Sequence, residues 1–237
     1  INKGESGREQ IEREKKNIES LISDISHQTK TPLANILLYT QLLSESSRLC
    51  DEDKMIAGQI ESQTEKLSFL ISSLVKTSRL ETGIIAVNPS EQDTEGLLRQ
   101  LTDDYMPAAE QKNITLVLGE NAAGSAVFDY KWTMEAIANI VDNAIKYTPC
   151  GGTITLNASE YSMFARIDIS DTGIGMTEAE TAAVFQRFYR SPGVSDEKGV
   201  GIGLYLAREI LEREDGYIKV SSEKGKGSTF SVFLHKK

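Results

Sequence analysis

The stretch Trp132-Thr-Met-Glu-Ala-Ile-Ala-Asn-Ile-Val-Asp-Asn-Ala-Ile-Lys-Tyr147 has the apolar spacing of an amphipathic helix. Asn139, Asn143 and Lys146 fall at positions i, i+4 and i+7, so we expect their side chains to share one face. Amide oxygens suit magnesium, which keeps waters and bridges substrate phosphates, and Lys146 adds a positive charge. Taken alone, such a face is more often a solvated polar surface.

Two glycine motifs follow this helix. Asp171-Thr-Gly-Ile-Gly-Met comes directly after a predicted strand, which places a carboxylate at the strand's exit, where it can accept the amino group of adenine. Gly199-Val-Gly-Ile-Gly-Leu opens an apolar helix, whose N-terminal N–H groups favour phosphate. Each motif is weak alone, because Asp-x-Gly is a common turn and the second motif does not follow a strand.

His27 lies in Ser26-His-Gln-Thr-Lys-Thr-Pro-Leu33, within a long amphipathic stretch. An exposed imidazole there can act as a nucleophile or proton carrier near neutral pH. Apolar spacing predicts one helix from Arg8 to about Leu43 and another from Glu52 to Leu80. We expect an antiparallel hairpin, and because two helices cannot bury a broad apolar stripe alone, a four-helix bundle made by two chains.

The periodicity changes at Gly83 and Pro89, where we place a linker over residues 83–93. Residues 1–82 then form the helical hairpin. In residues 94–237, helices alternate with strands, which predicts an α+β two-layer sandwich with antiparallel hairpins.

Composition excludes some classes of function. The 237 residues carry a formal net charge of -9, which argues against nucleic acid as a partner. No run approaches the ~18 to 20 apolar residues that span a bilayer, so we expect no membrane contact by these residues. The abrupt start suggests an excised piece with a membrane segment upstream. Cys50 and Cys150 lack pairing or metal spacing, which suggests a reducing compartment.

Six ordered motifs together resemble those of the cytoplasmic core of a sensor histidine kinase of two-component signalling, over essentially the whole chain. The matching segments are the phosphoacceptor box at 27–33, the Asn box at 139–149, the first glycine box at 171–176, the Phe box at 184–190, the second glycine box at 199–204 and the closing glycine turn at 225–230. The resemblance implies a Bergerat-type ATP fold after the hairpin, with ATP and Mg²⁺ as cofactors.

The resemblance also implies a role for individual residues. Asn143 would be the metal ligand, Asn139 and Lys146 would approach the phosphates, Tyr147 would lie along adenine, and Asp171 would bind its amino group. The implied nucleotide-binding residues are Asn139, Asn143, Lys146, Tyr147, Asp171, Gly173, Gly175, Phe188, Gly199, Gly201, Gly203, Leu204 and Thr229. Residues 176–199 would form a lid, from which Arg187 or Arg190 could stabilise charge during phosphoryl transfer.

The implied activity is autophosphorylation of His27, followed by transfer to an aspartate of a response-regulator receiver. Thr31 lies four residues after His27, where the family's phosphatase activity uses a Thr or Asn, so a regulator phosphatase stays open. The implied protein is a homodimer, with these residues in the cytoplasm and the full-length protein at a bacterial membrane.

Two residues differ from the pattern of related proteins, and they bear on the alternative functions. The related hydrolases have a water-activating glutamate where this chain has Asn139, and an amide cannot take that proton, which disfavours a clamp ATPase. Most of the family has Glu or Asp after the phosphoacceptor, where this chain has Gln28. Asp24, over which a helical His27 would lean, is a candidate substitute base. The alternative is a degenerate ATP-binding scaffold with weak kinase activity.

Overall fold

The computed structural model describes residues 28–45, 50–83, 86–119, 124–191 and 200–236. The chain divides into two units, with the main boundary between Ala86 and Val87. The first unit is helical, and the second combines helices with a mixed sheet. The predicted fold class, a helical hairpin region followed by an α+β ATP-binding domain, is confirmed.

The first unit contains helix α1, described over 28–44, and helix α2, Asp51–Glu81. Asp51, Glu52 and Asp53 lie in the first turn of α2, and Arg79 lies in its last turn, so charges of both signs complement the helix dipole. The helix ends where Gly83 takes a positive φ of 67°. The N-terminal part of the predicted first helix lies outside the described residues.

Large apolar side chains are exposed along both helices of this unit. They are Ile36, Leu38, Tyr39, Leu42, Leu43, Met55, Ile56, Ile60, Leu67, Phe69 and Leu74. A single soluble chain rarely exposes such an apolar surface without a partner.

The elements of the second unit are β1 (Ser90–Asp93), α3 (Thr94–Gln111), β2 (Thr115–Leu118), β3 (Ser125–Phe128), α4 (Tyr130–Tyr147), β4 (Thr153–Glu160), β5 (Phe164–Asp171), α5 (Glu178–Ala183), α6 (Gly203–Arg213), β6 (Tyr217–Glu223) and β7 (Gly227–His235). The short strands β1 and β3 form an antiparallel pair. The remaining strands form a five-stranded sheet in the order β2-β4-β5-β7-β6.

Buried and more exposed residues alternate along the strands, so that one face of the sheet packs against the helices. In β5, Ala165, Ile167 and Ile169 are buried, while the intervening Arg166 and Asp168 are half-buried on the other face. Helices α3, α4 and α6 contact the sheet, and α4 contacts both α3 and α6. The core therefore lies between the helix layer and one face of the sheet.

The strand pairing differs in part from the predicted antiparallel hairpins. Strand β2 pairs in parallel with β4, and β3 pairs with β1 instead. The crossover between β2 and β4 contains α4, and a connection of that length permits parallel pairing. Strand β1 and helix α5 were not predicted, because elements of four and six residues carry too little periodicity.

None of the described helices has the length and apolar content needed to cross a membrane.

Candidate functional site: a nucleotide site around helix α4

Helix α4 has one apolar face and one polar face. Ile137, Ile140 and Val141 are fully buried. Asn139 and Asn143 are half-buried, and each donates its amide to the carbonyl one turn back, of Glu135 at 2.8 Å and of Asn139 at 2.9 Å. In this arrangement their Oδ1 atoms remain as acceptors, which is the atom type that a magnesium ion or its waters need.

The N-terminus of α4 is capped by Asp129. Its carboxylate accepts the backbone N–H groups of Lys131 at 3.1 Å and Trp132 at 3.3 Å, and also that of Asn88 at 3.0 Å. An aspartate at this position satisfies N–H groups that have no partner within the helix.

The other end of α4 is closed by residues that are remote in sequence. The Lys112 ammonium donates to the carbonyls of Ile145 at 2.9 Å and Lys146 at 2.6 Å, and the Tyr147 carbonyl accepts the Ile174 N–H at 3.2 Å. A cation here also suits the negative end of the helix dipole. Sequence reasoning missed Lys112, because it lies 33 residues from Ile145 and no local pattern marks it.

The side chains at this end lie together. The Lys146 ammonium lies 4.7 Å from the centre of the Tyr147 ring, at cation–π distance. Both side chains are half-buried, so they remain accessible to a ligand.

Asp171 is the last residue of β5, at the edge where the first glycine motif begins. Its Oδ1 accepts the N–H of Gly173 at 2.8 Å and that of Ser228 at 3.3 Å. Burial raises the pKa of its carboxyl above the usual value, and these two bonds offset part of that rise. A fixed, half-buried carboxylate of this kind is suited to accept hydrogen bonds from an amino group.

The glycines are required by close approaches between backbones. A Cβ on Gly175, whose φ is 61°, would lie 2.0 Å from the carbonyl oxygen of Glu223, the last residue of β6. In the turn between β6 and β7, the Gly225 N–H donates to the Ile174 carbonyl at 2.7 Å. The first glycine motif and the closing glycine turn therefore form one packed unit, which side chains would prevent.

Gly203 of the second glycine motif lies against α4. A Cβ on Gly203, the first residue of α6, would lie 2.8 Å from Asn139 Oδ1. Ile202 at the N-cap has no polar side chain to cap the helix. The N-terminus of α6 thus faces one of the amides predicted to approach the phosphates, and such a terminus favours anions.

The Phe-box segment also contacts this motif. Phe188 has a positive φ of 60° and donates its N–H to the Gly201 carbonyl at 2.8 Å, while its side chain is 52% exposed. Arg187 Nη2 donates to Tyr205 Oη at 3.0 Å, and its guanidinium carbon lies 4.6 Å from that ring's centre. The sequence did not single out Tyr205, which holds Arg187 against α6.

The remaining predicted site residues lie near the glycine motifs, on α1 or outside the described residues. Leu204 is half-buried, and Thr229 Oγ1 lies 3.0 Å from Ser170 Oγ, so both lie near the motifs above. Gln28 and Thr31 are exposed on α1. His27, Asp24 and Gly199 lie outside the described residues.

Within the described ranges, no group of three or more His, Cys, Asp or Glu residues is placed to hold a metal ion.

Two family models match the chain. Residues 17–83 match the His Kinase A (phospho-acceptor) domain, and residues 128–237 match the histidine kinase-, DNA gyrase B- and HSP90-like ATPases. The chain belongs to the sensor histidine kinases.

Two relatives match this histidine kinase chain over both of its regions. It is 32% identical over 225 residues to the adaptive-response sensory kinase SasA of Synechococcus elongatus, covering 90% of this chain and 58% of SasA. It is 27% identical over 218 residues to the sensor protein SrrB of Staphylococcus aureus, covering 91% of this chain and 37% of SrrB. The kinase chain thus spans less than two thirds of the length of either relative.

Solved structures share the fold of this histidine kinase. Full-length ShkA, crystallised with AMPPNP, aligns with a TM-score of 0.75 at 24% identity over 92% of this chain and 46% of ShkA. The Acinetobacter baumannii histidine kinase AdeS aligns with a TM-score of 0.65 at 19% identity over 89% of this chain and 98% of AdeS.

Gly175→Ala should weaken ATP binding at least about tenfold, because relieving the clash with Glu223 would move the loop that follows Asp171. Gly151→Ala is the matched control, since Gly151 also has a positive φ, of 81°, but no atom within 4 Å of a Cβ. Titration calorimetry with Mg·ATP measures the dissociation constants. Equal effects of the two substitutions would show that the close approach to the β6–β7 turn does not matter for binding.

Proposed function

We propose that this chain is the core of a protein-histidine kinase that uses Mg·ATP to phosphorylate Nε2 of His27. The phosphoryl group then passes to an aspartate of a response-regulator receiver. The observation that carries the proposal is the convergence around α4 of the Asp171 carboxylate, the Asn139 and Asn143 amides and the N-terminus of α6. These are the groups needed for adenine, metal and phosphate.

Several observations support ATP as the ligand. The second unit matches an ATPase-type domain, and ShkA, which has the same fold, was crystallised with AMPPNP. Asp171 offers an acceptor for the adenine amino group, and Lys146 and Tyr147 lie one turn beyond Asn143. We assign Asn143 as the magnesium ligand, acting together with waters and phosphate oxygens.

The proposed phosphoryl transfer needs only ATP and the His27 imidazole as reactants. The lone pair of neutral Nε2 attacks the γ-phosphorus, the bond from that phosphorus to the bridging oxygen breaks, and ADP leaves with the bridging electrons. The Nδ1 proton is then shared with, or lost to, a neighbouring acceptor. Gln28 can accept a hydrogen bond from Nδ1–H but cannot take its proton, so Asp24 is our candidate for that role.

Transfer to a protein side chain is favoured over hydrolysis. Asn139 occupies the position at which an ATPase of this family would need a general base, and its amide is bonded to the Glu135 carbonyl and faces Gly203. An amide does not deprotonate water. The second candidate is an ATP-binding scaffold with weak kinase activity, which Gln28 favours.

Regulator dephosphorylation is a further proposed activity. The Thr31 side chain is exposed on α1, so its hydroxyl is accessible to an incoming protein. Relatives of greater length are named sensor proteins, and we propose that this chain likewise works as the cytoplasmic kinase portion of a longer membrane-anchored sensor.

We also propose a homodimer. The His Kinase A match and the exposed apolar side chains of α1 and α2 support it, because pairing two hairpins would bury that surface. Light scattering of the whole chain at micromolar concentration should give twice the chain mass of 26.1 kDa. A monomeric mass would contradict the dimer.

Incubation with γ-labelled ATP and Mg²⁺ should label the chain with an acid-labile, base-stable phosphoramidate. His27→Ala should lose the label while keeping ATP affinity, because His27 accepts phosphate and is not needed to bind nucleotide. Binding of ATP without labelling of the unsubstituted chain would favour the scaffold. Rapid ATP hydrolysis by His27→Ala would favour the clamp ATPase.

Asp24→Asn should slow autophosphorylation by about 10²-fold or more, which is the usual contribution of a general base. Gln28→Glu should accelerate it, since a carboxylate next to the imidazole can both orient and deprotonate it. Initial rates at saturating ATP measure both effects. An unchanged rate in Asp24→Asn would remove Asp24 from the mechanism.

A further inference from the structure

Glu214 is a carboxylate in the core of the ATP-binding unit. Among the described residues it is the one ionisable side chain that is almost completely buried, with 2% of its surface exposed. It lies at the C-cap of α6, and none of the nucleotide motifs includes it. A buried carboxylate is costly unless its oxygens accept hydrogen bonds.

Both oxygens of Glu214 have a partner at the start of α4. Oε1 accepts the backbone N–H of Asp129 at 3.1 Å, and Oε2 accepts the hydroxyl of Thr133 at 2.7 Å. Thr133 is itself fully buried. One side chain therefore joins the end of α6 to the first turn of α4.

The same two helices meet again at the nucleotide site. The first residue of α6, Gly203, lies against Asn139, which is six residues and about 9 Å along α4 from Thr133. The helices are thus antiparallel, with Glu214 at one end of their contact and the Gly203–Asn139 approach at the other. A shift of α6 along α4 would alter both contacts together.

We propose that Glu214 is a positioning residue for the nucleotide site, whose carboxylate fixes α6 on α4 so that Gly203 stays against Asn139. The proposal rests on the proposed ATP-binding function. It assigns to Glu214 no contact with the nucleotide.

The charge of Glu214 changes with pH, so its positioning role can be tested by varying the pH. Burial, with a smaller contribution from the Asp129 carboxylate, raises its pKa from 4.5 to about 7, against the lowering effect of its two hydrogen bonds. Asp129, at the α4 N-cap, is the charged group that acts on it among the described residues, and Thr133 faces it as a neutral hydroxyl. Deprotonation makes both bonds to α4 charge-assisted, whereas the protonated acid forms weaker neutral bonds, with its hydroxyl donating to Thr133.

ATP affinity and folding stability should therefore respond to pH in opposite directions. Because the folded-state pKa is above the unfolded value, the stability that this carboxyl contributes is fully present below pH 4.5 and is lost as the pH rises to about 7. ATP affinity should instead increase over the upper part of that range, as the charged carboxylate holds α6 more firmly. A residue that only stabilised the fold would not raise affinity while lowering stability.

The test compares Glu214→Gln and Glu214→Leu with the unsubstituted chain, by titration calorimetry with Mg·ATP at pH 6 and pH 8. Gln keeps the shape and a neutral hydrogen-bonding group, so it should match the unsubstituted chain within twofold at pH 6 and bind ATP about threefold more weakly at pH 8. Leu removes both bonds and should weaken binding about tenfold at both pH values, a loss comparable to that of one buried hydrogen-bonding partner. Glu212→Leu is the control, since Glu212 is 48% exposed in the last turn of the same helix.

Thr133→Val provides a second route if Glu214→Leu does not fold, because it removes one bond to the carboxylate and should weaken ATP binding about threefold. Two results together would overturn the inference. They are an equal ATP affinity of Glu214→Gln and the unsubstituted chain at both pH values, and an unchanged ATP affinity in Thr133→Val. Failure of the unsubstituted chain to bind ATP would overturn the proposed function instead.

Discussion

The fixing of helix α4 at both ends is the constraint on which the rest of the ATP-binding unit depends. Asp129 and Glu214 hold its N-terminal turn, and Lys112 and Ile174 close its C-terminal turn. A helix end without such partners would leave buried donors or acceptors unsatisfied. Apart from the N-cap residue Asp129, the partners come from three other segments, so α4 fixes the positions of α3, α6 and the first glycine loop around one axis.

The nucleotide-site residues take their geometry from this arrangement. Asn139 and Asn143 lie on α4 itself, and Gly203 reaches Asn139 because α6 packs along the same helix. The Asp171 carboxylate enters from the sheet, next to a loop that the Tyr147 carbonyl holds at the end of α4. Contacts within the protein therefore hold together the groups that we propose for adenine, metal and phosphate, which reduces the ordering cost of binding.

Much of the fold was predictable, because long elements carry a strong periodic signal. Helix α4 was expected from Trp132 to Tyr147 and runs from Tyr130 to Tyr147. The short strand β1 and the parallel pairing of β2 with β4 were not predicted. Strand pairing joins residues that are distant in sequence, and here the long connection through α4 permits the parallel arrangement.

By itself, the sequence determined which chemistry this chain carries. The amides, the carboxylate after a strand and the glycine runs are residue types with local signatures, and their order identified a histidine kinase core. Only the tertiary structure decided which remote groups support that chemistry. Lys112, Glu214 and Tyr205 act through single side chains across 33, 81 and 18 residues of chain, respectively. Contacts of that separation leave no periodic pattern, since they are set by how the helices pack.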